Sequence, residues 1–143
     1  MKNRDMYLNL LIDFKDKPFI KVITGIRRCG KTMLLELFEA YLIDSGVPQA
    51  SIIKMNFESL HYDDIQTYRE LYEYVRDRIA KSGKTYILLD EVQQVAEWEK
   101  AVNSFRVDFD ADVYITGSSS YMLSSELSTL LSGRFFEIKM LPL

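Results

Sequence analysis

The 143-residue sequence predicts a three-layer α/β fold, a parallel sheet with helices on both faces, and two observations carry that prediction. Residues 25–32 read Gly25-Ile26-Arg27-Arg28-Cys29-Gly30-Lys31-Thr32, a complete G-x-x-x-x-G-K-[ST] phosphate-binding loop, set between a β-branched apolar run and a stretch of helix formers. Further along, after the length of two more β/α elements, an apolar run ends in the paired carboxylates Asp90-Glu91. Apolar runs of strand length alternate with helical periodicity five times, the pattern of a parallel sheet.

Each element has its own local reason. Residues 19–24, after Pro18, form a short and mostly apolar first strand suited to burial on both faces. Residues 33–43 hold no helix breaker and stop at Asp44-Ser45-Gly46-Val47-Pro48, where Gly and then Pro end a helix. Residues 51–57 give a second strand. Tyr68, Leu71, Tyr72, Val75 and Ile79 then recur at helical spacing, with charged residues on the other face, as a packing stripe. Gly83 precedes a third strand at 86–91. Trp98, Val102 and Phe105 share one face of a short helix, with Trp98 as a core anchor. A fourth strand at 112–116 runs into Gly117-Ser118-Ser119-Ser120, a helix is expected over 121–132, and Gly133-Arg134 leads into a fifth strand at 135–140. Glycines 83, 117 and 133 are expected at element junctions. Arg4 and Tyr7 lie on a short amphipathic helix before the first strand, within reach of a bound base.

The loop spacing is that of a ligand cradle. Backbone N–H groups from Gly25 through Ile26, Arg27, Arg28, Cys29, Gly30, Lys31, Thr32 and Met33 converge on nucleotide phosphates at a helix N-terminus, whose dipole favours anions. Lys31 then reaches the β- and γ-phosphates, and the Thr32 hydroxyl coordinates Mg²⁺. Parallel strands bring their C-terminal ends to one edge, so Asp90 faces Thr32 across the metal, and Glu91 polarises the water that attacks the γ-phosphate. Ser118, at the end of the neighbouring strand, is a candidate for contacting the γ-phosphate or that water, with Thr116 and Ser119 as rivals and a helix N-cap as the alternative reading. Arg27 and Arg28 leave two roles open, phosphate contact or a surface clamp for a partner. Cys29 reads as a tolerated small residue, and His61 as part of a solvated loop.

Composition sets the outer limits. Hydrophobic residues make up 48% and charged residues 27%, with a net charge of −3, so the chain is one globular domain. It offers no basic stripe on which nucleic acid could be gripped directly. No apolar run approaches the roughly 18–20 residues that span a bilayer. The N-terminus lacks an apolar signal core, which predicts a cytoplasmic protein. One cysteine excludes an internal disulfide, and one histidine argues against zinc.

With these motifs in place, the chain resembles the AAA+-type predicted ATPases of bacteria and archaea whose phosphate loop has the form G-x-R-R-x-G-K-[ST]. The matching pieces are residues 25–32, Leu88-Leu89-Asp90-Glu91-Val92-Gln93 with Trp98 downstream, Ile115-Thr116-Gly117-Ser118, and Leu131-Ser132-Gly133-Arg134-Phe135 through Leu141-Pro142-Leu143. The resemblance implies a P-loop NTPase sheet of order 5-1-4-3-2, with the Asp-Glu strand separated from the loop strand by the fourth. It implies ATP and Mg²⁺ as ligands. Residues 1–143 would be the ATP-binding core of a longer protein, with lid and C-terminal domain beyond it. Arg134 matches the family's Gly-Arg position, where it is either a finger completing a neighbour's site in a homo-oligomer or a local surface arginine. The apolar ending Met140-Leu141-Pro142-Leu143 is expected to be exposed.

Three functions remain on these residues. An ATP-hydrolysing switch or motor core comes first. A phosphotransferase shares the loop but has no need of a water-holding Glu91, and a nucleotide-binding regulatory module hydrolyses little. A GTPase is disfavoured, because the sequence holds no Asn-Lys-x-Asp segment to read guanine.

Overall fold

The computed structural model describes residues 2–142, with side chains from Asp5 onward. Helix α1 (Lys2–Phe14) is longer than expected and leads into β1 (Ile20–Gly25); α2 (Lys31–Asp44), β2 (Ile52–Asn56), α3 (Tyr68–Arg76), β3 (Thr85–Asp90), α4 (Trp98–Asp108), β4 (Ala111–Ser118), α5 (Ser124–Leu130) and β5 (Phe135–Lys139) follow. All four strand pairings are parallel, in the order β2-β3-β4-β1-β5, the expected 5-1-4-3-2 read from the other edge.

Strand alternation divides the core in two. Val22, Ile87, Leu89, Val113 and Ile115 face α3, α4 and α5, joining Leu71, Val75, Trp98, Val102, Phe105 and Leu127. Their sequence neighbours Ile23, Leu88 and Tyr114 face the other way, against Tyr7 and Leu11 of α1 and Leu34, Leu35, Phe38 and Leu42 of α2. Both faces are therefore dry, which is why the central strands read as continuous apolar runs instead of alternating ones. Trp98 is a core anchor, as expected. A capping box starts α3: Glu70 N–H donates to Thr67 Oγ1 (3.3 Å), and Thr67 N–H to the Glu70 carboxylate (3.1 Å).

Several expectations need correction. Helix α3 ends at Arg76, so Ile79 packs on the core from the following turn and not from the helix. Gly117 is not at a junction but inside β4, where a Cβ would lie 2.1 Å from Met122 Sδ. The chain turns back on itself there, with Tyr121 and Met122 N–H groups both donating to Ser118 O (2.9 Å each). That turn delays the helix expected from residue 121 until Ser124. Met140 is not part of an exposed tail. Its N–H donates to Thr24 O (2.8 Å), and its side chain is buried beneath the phosphate loop beside Gly25 and Gly30. Leu141 is exposed, its N–H donating to the Tyr7 hydroxyl (3.0 Å), while Leu143 lies outside the described residues.

At the strand-start edge lies a polar network that sequence patterning does not reveal. The fully buried Lys21 ammonium meets Asp112 Oδ1 at 2.5 Å and Lys17 O at 2.7 Å. Asp112 Oδ2 accepts the Tyr114 hydroxyl (2.6 Å) and the Asp16 N–H (2.8 Å). Burial pushes the Lys21 ammonium down and the Asp112 carboxylate opposes that shift. The network ties the connection after α1 to the starts of β1 and β4. At its rim, burial works to raise the Asp16 carboxyl, but Lys15 and the Tyr86 hydroxyl outweigh it and hold it at about 2, against an ordinary 3.8.

Two predictions follow from this network. Asp112→Ala strands a buried ammonium and should cost about 3–5 kcal/mol, read as a lower urea midpoint; a midpoint equal to wild type would show the pair to be dispensable. Because the Asp16 carboxyl sits below its unfolded value, its contribution is complete above about pH 4–5 and is lost as pH falls toward 2. Asp16→Asn keeps a side chain tolerated at Asp16's φ of 67°, so it should flatten the loss of stability over that window; equal slopes in acid titrations of both proteins would rule the contribution out.

Candidate functional site

The β1–α2 connection curls tightly because two positions have no room or no strain-free alternative. A Cβ on Gly25 would lie 2.6 Å from Cys29 Sγ, and Gly30 adopts φ 101° as the N-cap of α2. Arg28 also takes a positive φ, 65°. The amides of Gly30, Lys31, Thr32 and Met33 open the helix without intrahelical acceptors, and none of the four donates to a backbone carbonyl outside the helix. They are the free donors that a phosphate needs. Lys31 is 5% exposed, and its Nζ donates to Gly25 O (3.0 Å) and Ile26 O (2.9 Å), so the ammonium is already held inside the loop. Cys29 is buried with Sγ 3.8 Å from that ammonium, filling the space beneath the loop.

Across the sheet edge, strand order sets the rest. With β4 between β1 and β3, Ser118 pairs with Gly25 in register and Ile115 with Leu89. One step beyond, the Thr116 hydroxyl donates to Asp90 Oδ1 (2.5 Å) and accepts the Glu91 N–H (2.9 Å). The Ser118 hydroxyl donates to Glu91 Oε1 (3.1 Å), and Gln93 Nε2 donates to Glu91 Oε2 (3.1 Å). Glu91 itself sits at φ 56°, ψ 50°, a left-handed conformation that costs a side-chain-bearing residue about 1–2 kcal/mol. The bond to Thr116 and the 3₁₀ turn that follows at Val92–Gln94 hold it there. Asp90 is 2% exposed and Glu91 6%.

A cleft of about 360 Å³ opens between the loop and these strand ends, lined by Arg27, Arg28, Gly30, Lys31, Thr32, Glu58 and Glu91. Glu91 and Thr32 thus share one cavity, with Asp90 a residue deeper. The donor set, a hydroxyl and carboxylates with no thiolate or imidazole, is the hard-oxygen kind that suits Mg²⁺. The three hydroxyl candidates separate: Thr116 orients the Asp-Glu pair, Ser118 meets the Glu91 carboxylate, and Ser119 lines a different hollow with Thr24, Met122 and Lys139. Ile26 and Met33 are exposed beside the loop. Arg27 and Arg28 both face the cleft, and Arg27 Nη2 pairs with Glu58 Oε2 at 3.4 Å.

Other expected residues lie elsewhere. Arg134 precedes β5 at the strand-start edge, where its carbonyl accepts the Ile20 N–H (3.0 Å). Five residues of strand, roughly 17 Å at about 3.3 Å each, separate it from this cleft, so it does not serve its own chain's loop. Tyr7 is buried against α2, its hydroxyl engaged with Leu141, and the Arg4 side chain lies outside the described residues. His61 is exposed on a one-turn 3₁₀ helix. Sequence reading missed Glu58 in the cleft and Gln93 on Glu91. Both follow strand ends at the loop-bearing edge, the signal that could have found them.

Comparisons with known proteins give the family and the fold. An uncharacterized protein of Haemophilus influenzae is 45% identical across all of this chain, which covers 36% of it. An uncharacterized protein of Methanocaldococcus jannaschii is 34% identical over 99% of this chain and 29% of its own length. The chain therefore spans about a third of the curated relatives it matches. Among solved structures, AMPPCP-bound DnaA from Aquifex aeolicus superposes with a TM-score of 0.58 at 13% identity, over 99% of this chain and 47% of that one, a likeness of fold. The family described as an AAA domain matches residues 17–143, from just before β1 through all five strands, and the chain belongs to it.

Proposed function

We propose that this domain binds Mg-ATP in the cleft between the phosphate loop and the ends of β3 and β4, and hydrolyses it as the switch or motor core of a larger protein. The observation that carries the reading is the convergence of Lys31, Thr32 and Glu91 on one cavity, with Glu91 held by Ser118 and tied through Thr116 to Asp90. A carboxylate beside a phosphate cradle can hold and activate water for hydrolysis, whereas a phosphotransferase has no need of a water-holding group. That DnaA carries AMPPCP in a structure of this fold gives further support.

The loop amides from Ile26 to Met33 wrap the phosphates, and Lys31 exchanges its two carbonyl partners for β- and γ-oxygens. Thr32 and Asp90 would hold Mg²⁺, which would supply positive charge against that of the phosphates. Glu91 takes a proton from water as the water oxygen attacks the γ-phosphorus. The bond from that phosphorus to the bridging oxygen breaks, its electron pair leaves with ADP, and the proton on Glu91 returns to solvent. Arg134, far from its own cleft, completes the site of a neighbouring copy at the face between two subunits.

Lys31→Ala should weaken ATP affinity about 10- to 100-fold, the loss of charge-assisted bonds, whereas Glu91→Gln should keep affinity within a few-fold and cut turnover by about two orders of magnitude. Titration and turnover of both variants check the pair, and unchanged values for Lys31→Ala would discard the site. For Arg134, mixing Arg134→Ala chains with Glu91→Gln chains of the full-length protein should recover activity that neither has alone, since each supplies what the other lacks. No recovery, with turnover per chain independent of concentration, would leave Arg134 a local surface residue.

A further inference from the structure

The outermost strands of the sheet, β2 and β5, are finished differently. On β2 the residues turned away from β3 are Ile52, Lys54 and Asn56, and the chain around them takes up a group on each. Ile52 N–H donates to Gln49 O, Lys54 O accepts the Tyr62 hydroxyl (3.3 Å), and Asn56 O accepts the Ser59 N–H (3.0 Å). On β5, Arg134 O accepts from Ile20 and Met140 N–H donates to Thr24, so the even-numbered residues face β1. Bonding alternates along a parallel pair. Phe135, Glu137 and Lys139 therefore turn their N–H and C=O groups outward, where nothing among the described residues takes them. An open row of this kind is a template for a further strand.

The charges along that row select the strand. Glu137 and Lys139 project from the same face of the sheet, the one that carries α5. Glu137 Oε2 accepts the Thr24 hydroxyl (2.6 Å) and the Ser124 hydroxyl (2.9 Å), while Oε1 and the exposed Lys139 ammonium have no partner among the described residues. A second β5 running antiparallel pairs outward residues with outward residues. Setting Glu137 opposite Glu137, or Lys139 opposite Lys139, opposes like charges, which is unfavourable. Setting Glu137 opposite Lys139 gives an opposite-charge pair on either side of a twofold axis at Ile138. That register also brings the exposed Leu141 of one copy beside the half-buried Phe135 of the other.

We propose that the open side of β5 is an interface between two copies of this chain, joined antiparallel into one continuous sheet with Glu137 of each opposite Lys139 of the other. Antiparallel pairing lays the start of one β5 against the end of the other. Arg134 of one copy then falls opposite residue 142 of the other. It lies two strand widths across the sheet, at about 4.8 Å each, from the strand that carries the other's phosphate loop. The pairing thus supplies the face at which Arg134 completes a neighbour's site; that consequence rests on the ATPase reading above, and the pairing itself does not.

The test is sedimentation of the full-length protein without nucleotide, which makes the result independent of hydrolysis. Wild type should be a dimer or a multiple of one. Lys139→Glu, a change at an exposed side chain, sets Glu against Glu on both sides of the axis and should raise the dissociation constant about tenfold or more. Glu137→Lys should do the same, and an equal mixture of the two variants should associate as wild type does, because each offers the charge the other lacks. If Glu137→Lys fails to fold for want of its bonds to Thr24 and Ser124, Lys139→Glu carries the test together with hydrogen exchange. The Phe135, Glu137 and Lys139 amides should then be protected in wild type and exchange faster in the variant. A monomeric wild type, with those amides bare or covered by another segment of the chain, overturns the interface and leaves the ATPase reading standing, as does an oligomer indifferent to Lys139→Glu. A wild-type dimer that Lys139→Glu dissociates but that releases no phosphate from ATP removes that reading and keeps the interface.

Discussion

A single hydroxyl organises the loop-bearing edge of the sheet. Thr116 donates to Asp90 and accepts from the Glu91 amide, so one side chain sets both the carboxylate beneath the cleft and the backbone that turns Glu91 into it. It can do so only because β4 runs between β1 and β3 and extends through Ser118. Inserting that strand separates the loop from the Asp-Glu pair by one strand width, about 4.8 Å per step. Ser118 fills the interval with a hydroxyl in register with Gly25. The left-handed backbone of Glu91 is retained because Thr116 and the following turn over-determine it, the circumstance in which strain of this kind persists.

The two edges of the sheet divide their labour. The strand-start edge buries an ion pair, Lys21 with Asp112, bonded further by Lys17, Tyr114 and Asp16. Such a network contributes geometric definition more than net stability, since desolvation of both charges offsets most of their attraction. The opposite edge keeps its polar groups incompletely paired: free amides at the start of α2, a lysine on loop carbonyls, and an empty amide oxygen on Gln93. Free amides at the start of a helix leave this edge with donors suited to an anion.

Much of this was legible in the sequence, and the physics explains which parts. The strands are readable because both faces of the sheet are buried, which makes each strand a dense apolar run, and because a ligand-dictated motif sets the loop; their order follows only from the resemblance to the AAA+-type ATPases. Lys31, Thr32, Asp90, Glu91 and Ser118 sit at the ends of such runs and were placed at the right edge. On sequence alone Thr116 is only a rival to Ser118, since no pattern distinguishes a hydroxyl that orients carboxylates from one that faces a ligand. The Lys21–Asp112 pair joins positions 91 residues apart, and only the strand register brings them together. Met140 looked like the start of an apolar tail because its partners, Gly25 and Gly30, are distant in sequence and offer no side chains of their own. The helix expected at residue 121 starts late because Met122 must fold over Gly117, a contact between a flexible side chain and a missing one.

On the proposed reading, the Glu91 carboxylate, held between Ser118 and Gln93, serves water and not a second substrate. The most direct test of that reading is the stoichiometry of products from Mg-ATP with the wild-type chain and no other phosphate acceptor present. Release of ADP and inorganic phosphate in equal amounts, sustained over many turnovers, is the result this account predicts. Tight ATP binding without phosphate release, or release that begins only when a small-molecule acceptor is added, would contradict it.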